Sequence, residues 1–200
     1  MPTSAPMRNR KTLRLPGFDY SLPGIYFITS CTHNREFLFV SEPETLAVTS
    51  AWNHLKDVSS GIELDEFVVM PNHVHGILWI LEDGAYRLHP GTWKNASDGC
   101  RDEQLLIPAP VRKAVTLGNI IGAFKTTAAS RINKLHRKPG AIIWQKSFYE
   151  HIVRNNRELN SIREYIRENP GRWADDRDNP QHPMFNLPVC SSADYLDDKY

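Results

Sequence analysis

Apolar and polar residues alternate along this chain in blocks whose period changes from two to about 3.6 and back. Ile25-Tyr26-Phe27-Ile28-Thr29-Ser30-Cys31-Thr32 is dense in β-branched and aromatic residues and predicts a strand. Ser41, Glu42 and Glu44 have the chemistry of a helix start, and Leu46, Val48, Ala51, Trp52 and Leu55 form a helical stripe running to about Val58. Ile62 to Met70 and His73 to Leu81 predict two more strands joined by a turn or bulge at Pro71-Asn72. In the second of these, His73, His75, Ile77 and Trp79 share one face and Val74, Gly76, Leu78 and Ile80 the other. Both faces are largely apolar, so this strand is expected in the centre of a sheet.

Glu82 to Pro110 is polar, broken by Gly and Pro, and reads as an inserted loop, expected to be mobile. Leu117 to Leu135 predicts a helix that buries Ile120, Ile121, Phe124, Ala128, Ile132 and Leu135. Ala141 to Val153 reads as a strand. Asn155 followed by Glu158 has the shape of a capping box for a last helix over Asn156 to Glu168, with Leu159, Ile162 and Ile166 as its core stripe. Asn169-Pro170-Gly171 should end that helix. The order β-α-β-β-α-β-α contains the split β-α-β pattern of a ferredoxin-like fold. The expected class is α+β, one four-stranded antiparallel sheet with packed helices. The expected organisation is a basic arm over 1–22, one domain over 23–173 with its insert at 82–110, and an acidic tail over 174–200.

Two hundred residues suit one domain, and no run approaches the about 20 apolar residues of a membrane span. Cys31, Cys100 and Cys190 have neither zinc-type nor disulfide spacing, which points to a reducing cytoplasm and away from a secreted scaffold. The net charge of +1 conceals segregation. Gln104 to Tyr149 holds no Asp or Glu but contains Arg112, Lys113, Lys125, Arg131, Lys134, Arg137, Lys138 and Lys146. Such a zone suits a phosphate backbone, and equally a solvated helix face whose counter-charges lie elsewhere in space.

The candidate chemistry starts at Pro71-Asn72-His73-Val74-His75-Gly76. Two histidines on one face of a strand can hold one divalent cation, although a strand with no metal can carry the same pair. Tyr165 and Asn169 are four apart on the last helix and share a face offset from its apolar stripe. They also suit a core-edge aromatic and a helix C-terminal residue.

Four segments in order resemble the single-tyrosine HUH transposases, with the REP-associated tyrosine transposases as the nearest branch. They are Ile25-Tyr26-Phe27-Ile28-Thr29, Met70-Pro71-Asn72-His73-Val74-His75, Trp144-Gln145-Lys146-Ser147-Phe148-Tyr149-Glu150-His151 and Tyr165-Ile166-Arg167-Glu168-Asn169-Pro170. The resemblance spans about residues 14 to 173. It implies metal-dependent cleavage of single-stranded DNA and strand transfer through a 5′-phosphotyrosine intermediate, in DNA transposition or the processing of REP or hairpin elements. Tyr165 would be the nucleophile, and His73, His75 and Asn169 the ligands of Mg²⁺ or Mn²⁺. Arg14, Lys125, Arg131, Lys134, Arg137, Gln145, Lys146 and His151 are candidate contacts to single-stranded or hairpin DNA. Among these, His151 also suits a plain strand position. The protein would act as a monomer or homodimer, with cis action in a monomer as the expectation. Two readings remain beside this one: a nucleic-acid-binding ferredoxin-like module that has lost its chemistry, and a metal-dependent phosphoesterase that uses water and is indifferent to Tyr165.

Overall fold

The computed structural model describes residues 17–59, 61–81, 86–89, 92–94, 116–176, 179 and 181. Arg14 and the rest of the arm, most of the insert and most of the acidic tail lie outside the described residues.

The chain enters a four-stranded sheet through β1 (Gly24–Cys31). A capped helix follows, α1 (Glu42–Asn53), in which the Ser41 N–H donates to Glu44 Oε2 at 3.2 Å. The stripe expected to run unbroken to Val58 breaks at His54, and α2 (Leu55–Val58) is a separate turn. Leu46 points outward, while Val48, Ala51, Trp52 and Leu55 are buried. β2 (Ile62–Met70) and β3 (His73–Ile80) form the hairpin across Pro71-Asn72. The insert holds a small hairpin of its own, β4 (Tyr86–His89) with β5 (Thr92–Lys94), where only loop was expected. Next come α3 (Leu117–Leu135), β6 (Tyr149–Val153) and α4 (Asn156–Glu168).

The main sheet is antiparallel with strand order β2-β3-β1-β6, the ferredoxin-like arrangement expected from the element order. β3 is central and buried along its whole length. Its alternation sorts two cores. Val74, Leu78 and Ile80 face α1 and α3, joining Trp52, Phe124, Ile120 and Ile132. Ile77 and Trp79 face α4, joining Phe27, Leu159, Ile162 and Ile166. Gly76 lies under the Trp52 indole, where a Cβ would come within 2.9 Å of the ring and 3.0 Å of Phe67. The histidine strand therefore needs glycine at this point so that the Trp52–Phe67 stack, 4.6 Å between ring centroids, can lie across it.

The strand expected over Ala141 to Val153 is a strand only from Tyr149. Residues 141–148 run irregularly, with a single bridge from Trp144 to Thr32. Ile143 and Trp144 turn inward, and the Gln145 and Ser147 carbonyls accept from Lys125 Nζ at 3.0 and 2.8 Å, taking a side-chain donor where a ladder would supply backbone ones. Leu135, expected in the core, is 44% exposed at the end of α3. No helix of the described residues is long and apolar enough to cross a membrane.

Candidate active site

Period two on β3 brings His73 and His75 to the α4 side of the sheet, and both are fully buried. Their Nε2 atoms face each other at 3.0 Å. Each ring is held from behind. Asn72, also fully buried, donates from Nδ2 to the Arg35 carbonyl at 3.3 Å, which leaves its Oδ1 to accept from His73 Nδ1 at 2.8 Å. That bond puts the His73 proton on Nδ1 and its lone pair on Nε2, the tautomer a metal ligand needs. Thr29 Oγ1 lies 2.8 Å from His75 Nδ1, and a hydroxyl can donate to or accept from that nitrogen, so it serves either tautomer. Burial, then the neighbouring His75 and Arg35, hold the His73 imidazole well below its ordinary range, so it stays neutral.

α4 carries the second half of the site. Asn155 caps it by accepting from the Glu158 N–H at 2.9 Å, and Glu158 reaches back to the Arg154 N–H at 2.7 Å, one residue earlier than a standard capping box. The helix lies on the sheet through Leu159, Ile162 and Ile166. It is also gripped at β2, where the register shifts between Leu64 and Phe67. Asp65 and Glu66 occupy this irregularity. Asp65 accepts from Arg163 Nε at 3.0 Å and from the Trp79 indole at 3.0 Å, and Glu66 accepts from Arg167 Nε at 3.0 Å. Burial raises the Asp65 carboxyl, but the Arg163 and Trp79 hydrogen bonds, the Arg163 charge and the Glu66 N–H together reverse this and hold it below the usual carboxylate range.

So held, α4 places the Tyr165 hydroxyl 3.2 Å from His75 Nε2, across 90 residues of sequence and within one chain. The phenol ring packs edge-on to Phe27, at 6.2 Å, and against His75, at 5.2 Å. Asn169, one turn beyond Tyr165, is only 4% exposed, and its Oδ1 has no hydrogen-bond partner among the described residues. A buried amide oxygen without a donor is costly, and a cation is one way to satisfy it.

The structure adds a group that the sequence reading left in the acidic tail. Asn169-Pro170-Gly171 ends the α-helix but not the helical path, because Pro170 sits in the first turn of a 3-10 helix over Asn169–Asp175, where its missing N–H costs nothing. That turn delivers Asp176, whose Oδ2 lies 3.7 Å from His73 Nε2. His73, His75 and Asp176 each offer one ligand atom, all within 4.8 Å of one another, and this His-His-Asp cluster could hold a metal ion. Two imidazole nitrogens with carboxylate and amide oxygens make a mixed donor set of the kind divalent first-row ions accept.

The candidate DNA contacts fall elsewhere. α3 packs on the opposite face of the sheet from His73 and His75. On it, Lys125 is tied to the Gln145 and Ser147 carbonyls, Arg131 reaches Ser50, and Lys134 is exposed, with Arg137 exposed just past the helix end. Gln145 is half-buried and Lys146 exposed on the irregular run before β6. His151 pairs in register with Phe27 and so shares the histidine face, but its Nε2 meets Glu158 Oε1 at 2.6 Å, at the start of α4.

No protein-family model matches the chain. A protein of Haemophilus influenzae described as uncharacterized is 32% identical over 185 residues, which cover 87% of this chain and 95% of that protein. Among solved structures, a REP-associated tyrosine transposase bound to a REP hairpin is similar to 82% of this chain and 74% of its own, at 18% identity and a TM-score of 0.48.

Proposed function

We propose that this chain, which belongs to one family with the Haemophilus influenzae protein, is a metal-dependent single-stranded DNA nickase and strand transferase with Tyr165 as its nucleophile. One observation carries the reading: a tyrosine hydroxyl, two opposed imidazole nitrogens and a buried carboxylate meet at one end of the sheet, with a buried amide oxygen that has no partner among the described residues one helical turn from the tyrosine. A binding module has no use for such a set, and a water-using phosphoesterase has none for the phenol.

Tyr165 Oη bonds to the scissile phosphorus as the bond to the 3′-oxygen breaks. The phenol proton passes to solvent, and the departing 3′-oxygen takes one up. The phosphotyrosine link keeps the phosphodiester energy, so a second 3′-hydroxyl can reverse the step and restore the free phenol. His73, His75, Asp176 and Asn169 would hold the ion, which when bound offsets phosphate charge as a Lewis acid. The nitrogen-containing donor set suits Mn²⁺ better than Mg²⁺, which prefers oxygen ligands in near-ideal octahedra. His75 Nε2 has one lone pair, so ligation and the acceptance of a Tyr165 proton exclude each other; Tyr165 therefore attacks as a group positioned by its helix and not deprotonated by His75. The short Tyr165–His75 distance within one chain favours action in cis.

The test is a 3′- and 5′-labelled single-stranded hairpin incubated with protein and Mn²⁺, resolved under denaturing conditions. The expected result is a covalent protein–DNA band with a free 3′-hydroxyl fragment, lost with chelator and in Tyr165→Phe. Cleavage that persists in Tyr165→Phe would overturn the reading in favour of water as nucleophile.

A further inference from the structure

Two aromatic rings meet beside the histidines without taking part in either core. Trp173 lies on the 3-10 turn after α4, four residues beyond Asn169. Its ring centroid is 6.0 Å from that of His73 and 5.8 Å from that of Phe37, which it meets edge to face. Phe37 is 42% exposed. Neither ring belongs to the cluster under α1 and α3 or to the one under α4.

Both are fixed from the backbone. Asn34 and Arg35 take left-handed φ of 51° and 56°, a conformation that costs non-glycine residues energy and persists only where the surroundings impose it. The chain then returns over the Pro71 carbonyl, which accepts from Leu38 N at 3.0 Å and Phe39 N at 3.1 Å and so anchors the backbone directly after Phe37. The Trp173 carbonyl accepts from Asp176 N at 3.2 Å and Asn179 Nδ2 at 3.0 Å. A turn with two left-handed residues thus places a partly exposed phenyl ring next to a half-buried indole, one ring away from a candidate metal ligand.

Resting on the nickase reading above, we infer that Phe37 and Trp173 form a stacking site for one unpaired nucleobase, that of a nucleotide flanking the phosphate held at His73 and His75. A base is joined to its phosphate through a single sugar, so a ring adjacent to His73 is within its reach. Stacking accepts any base, since each has a π-face. It also discriminates strandedness: a base in a duplex is already stacked and must leave its neighbours to enter. The site therefore selects unpaired DNA at the cut, while cationic contacts supply affinity without that distinction.

The experiment uses the full chain and single-stranded oligonucleotides with an abasic residue scanned across the nucleotides on either side of the cut phosphate, under single-turnover conditions that separate strand binding from the cleavage rate of bound strand. Trp173→Ala should weaken binding of the intact strand by roughly 5- to 150-fold, the span of one lost base stack. Phe37→Ala should do the same to a smaller extent, and Trp173→Phe should restore most of the affinity. One abasic position should reproduce the loss in the unaltered protein and add nothing further in Trp173→Ala. If Trp173→Ala and Phe37→Ala distinguish intact from abasic strands as well as the unaltered protein does, or if Trp173→Phe is as weak as Trp173→Ala, the stacking site is wrong. Failure of the nickase reading looks different: the unaltered protein then forms no covalent band, yet base-dependent binding through Trp173 is still measured and upholds the stacking site.

Discussion

The two faces of β3 start from the same backbone and the same burial and come to opposite ends. Val74, Gly76 and Leu78 look toward α1 and α3, and hydrocarbon and aromatic packing around Trp52 and Phe124 dominates there. His73 and His75, between them in sequence, look toward α4, and there the apolar cluster stops short and yields to imidazole, phenol and carboxylate. The first face holds the molecule together through close packing. The second buries polar and titratable groups, an arrangement that stability alone does not favour. The attachment of the helices differs accordingly. α3 is held by a broad apolar stripe, and α4 by a shorter one reinforced with the Asp65–Arg163 and Glu66–Arg167 clips at the β2 irregularity.

This contrast can be broken by experiment. The largest effect expected is on activity. Replacing His73 and His75 together with alanine should reduce DNA cleavage to the uncatalysed background, while the loss of two buried rings and of their bonds to Asn72 and Thr29 lowers stability by less than Trp52→Ala does. A large stability loss in that variant, read by thermal unfolding, would mean that the histidines are structural. Trp52→Ala should do the reverse, costing about 3–5 kcal/mol of stability while leaving the cleavage rate of the still-folded fraction intact. Gly76→Ala should cost about 1–3 kcal/mol, since its Cβ must displace Trp52 or Phe67 in a packed core.

The smallest effect sharpens the account of α4. Asp65→Asn removes a charge-assisted acceptor from Arg163 and should cost about 1–3 kcal/mol, with cleavage reduced by more than Trp52→Ala reduces it. The sign with pH follows from the depressed Asp65 carboxyl. Its contribution is fully present above the ordinary carboxyl value of 3.8 and is lost as the pH falls through the lower value it has in the folded protein. Urea unfolding across that acidic range should show a steeper loss for the unaltered protein than for Asp65→Asn.

Much of this architecture is legible in residue order, and the reasons are physical. β3 could be read because a strand with neighbours on both sides and both faces covered carries apolar residues throughout, with the histidines as the one polar interruption. Its pairing with Tyr165 and Asn169 followed from four motifs taken together, not from periodicity. Residues 141–148 could not be read, because their β-branched and aromatic content suits a strand while Lys125, from another element, claims their carbonyls. Asp176 was hidden in a run of acids that composition marks as solvent-exposed, behind an Asn-Pro-Gly sequence that ends an α-helix but permits a 3-10 turn. The roles of Thr29 and Asn72 required the register of β1 on β3 and the docking of the Thr32–Glu36 turn, neither of which has a local signature.

The central claim, that Tyr165 is the residue joined to DNA, is tested most directly by isolating the covalent product formed on a single-stranded hairpin in Mn²⁺, digesting it with nuclease and protease, and mapping the residual nucleotide by mass spectrometry. The account predicts one modified peptide, with the 5′-phosphonucleotide on Tyr165. A nucleotide on any other residue, or a cleaved strand bearing a free 5′-phosphate with no modified peptide, would contradict it.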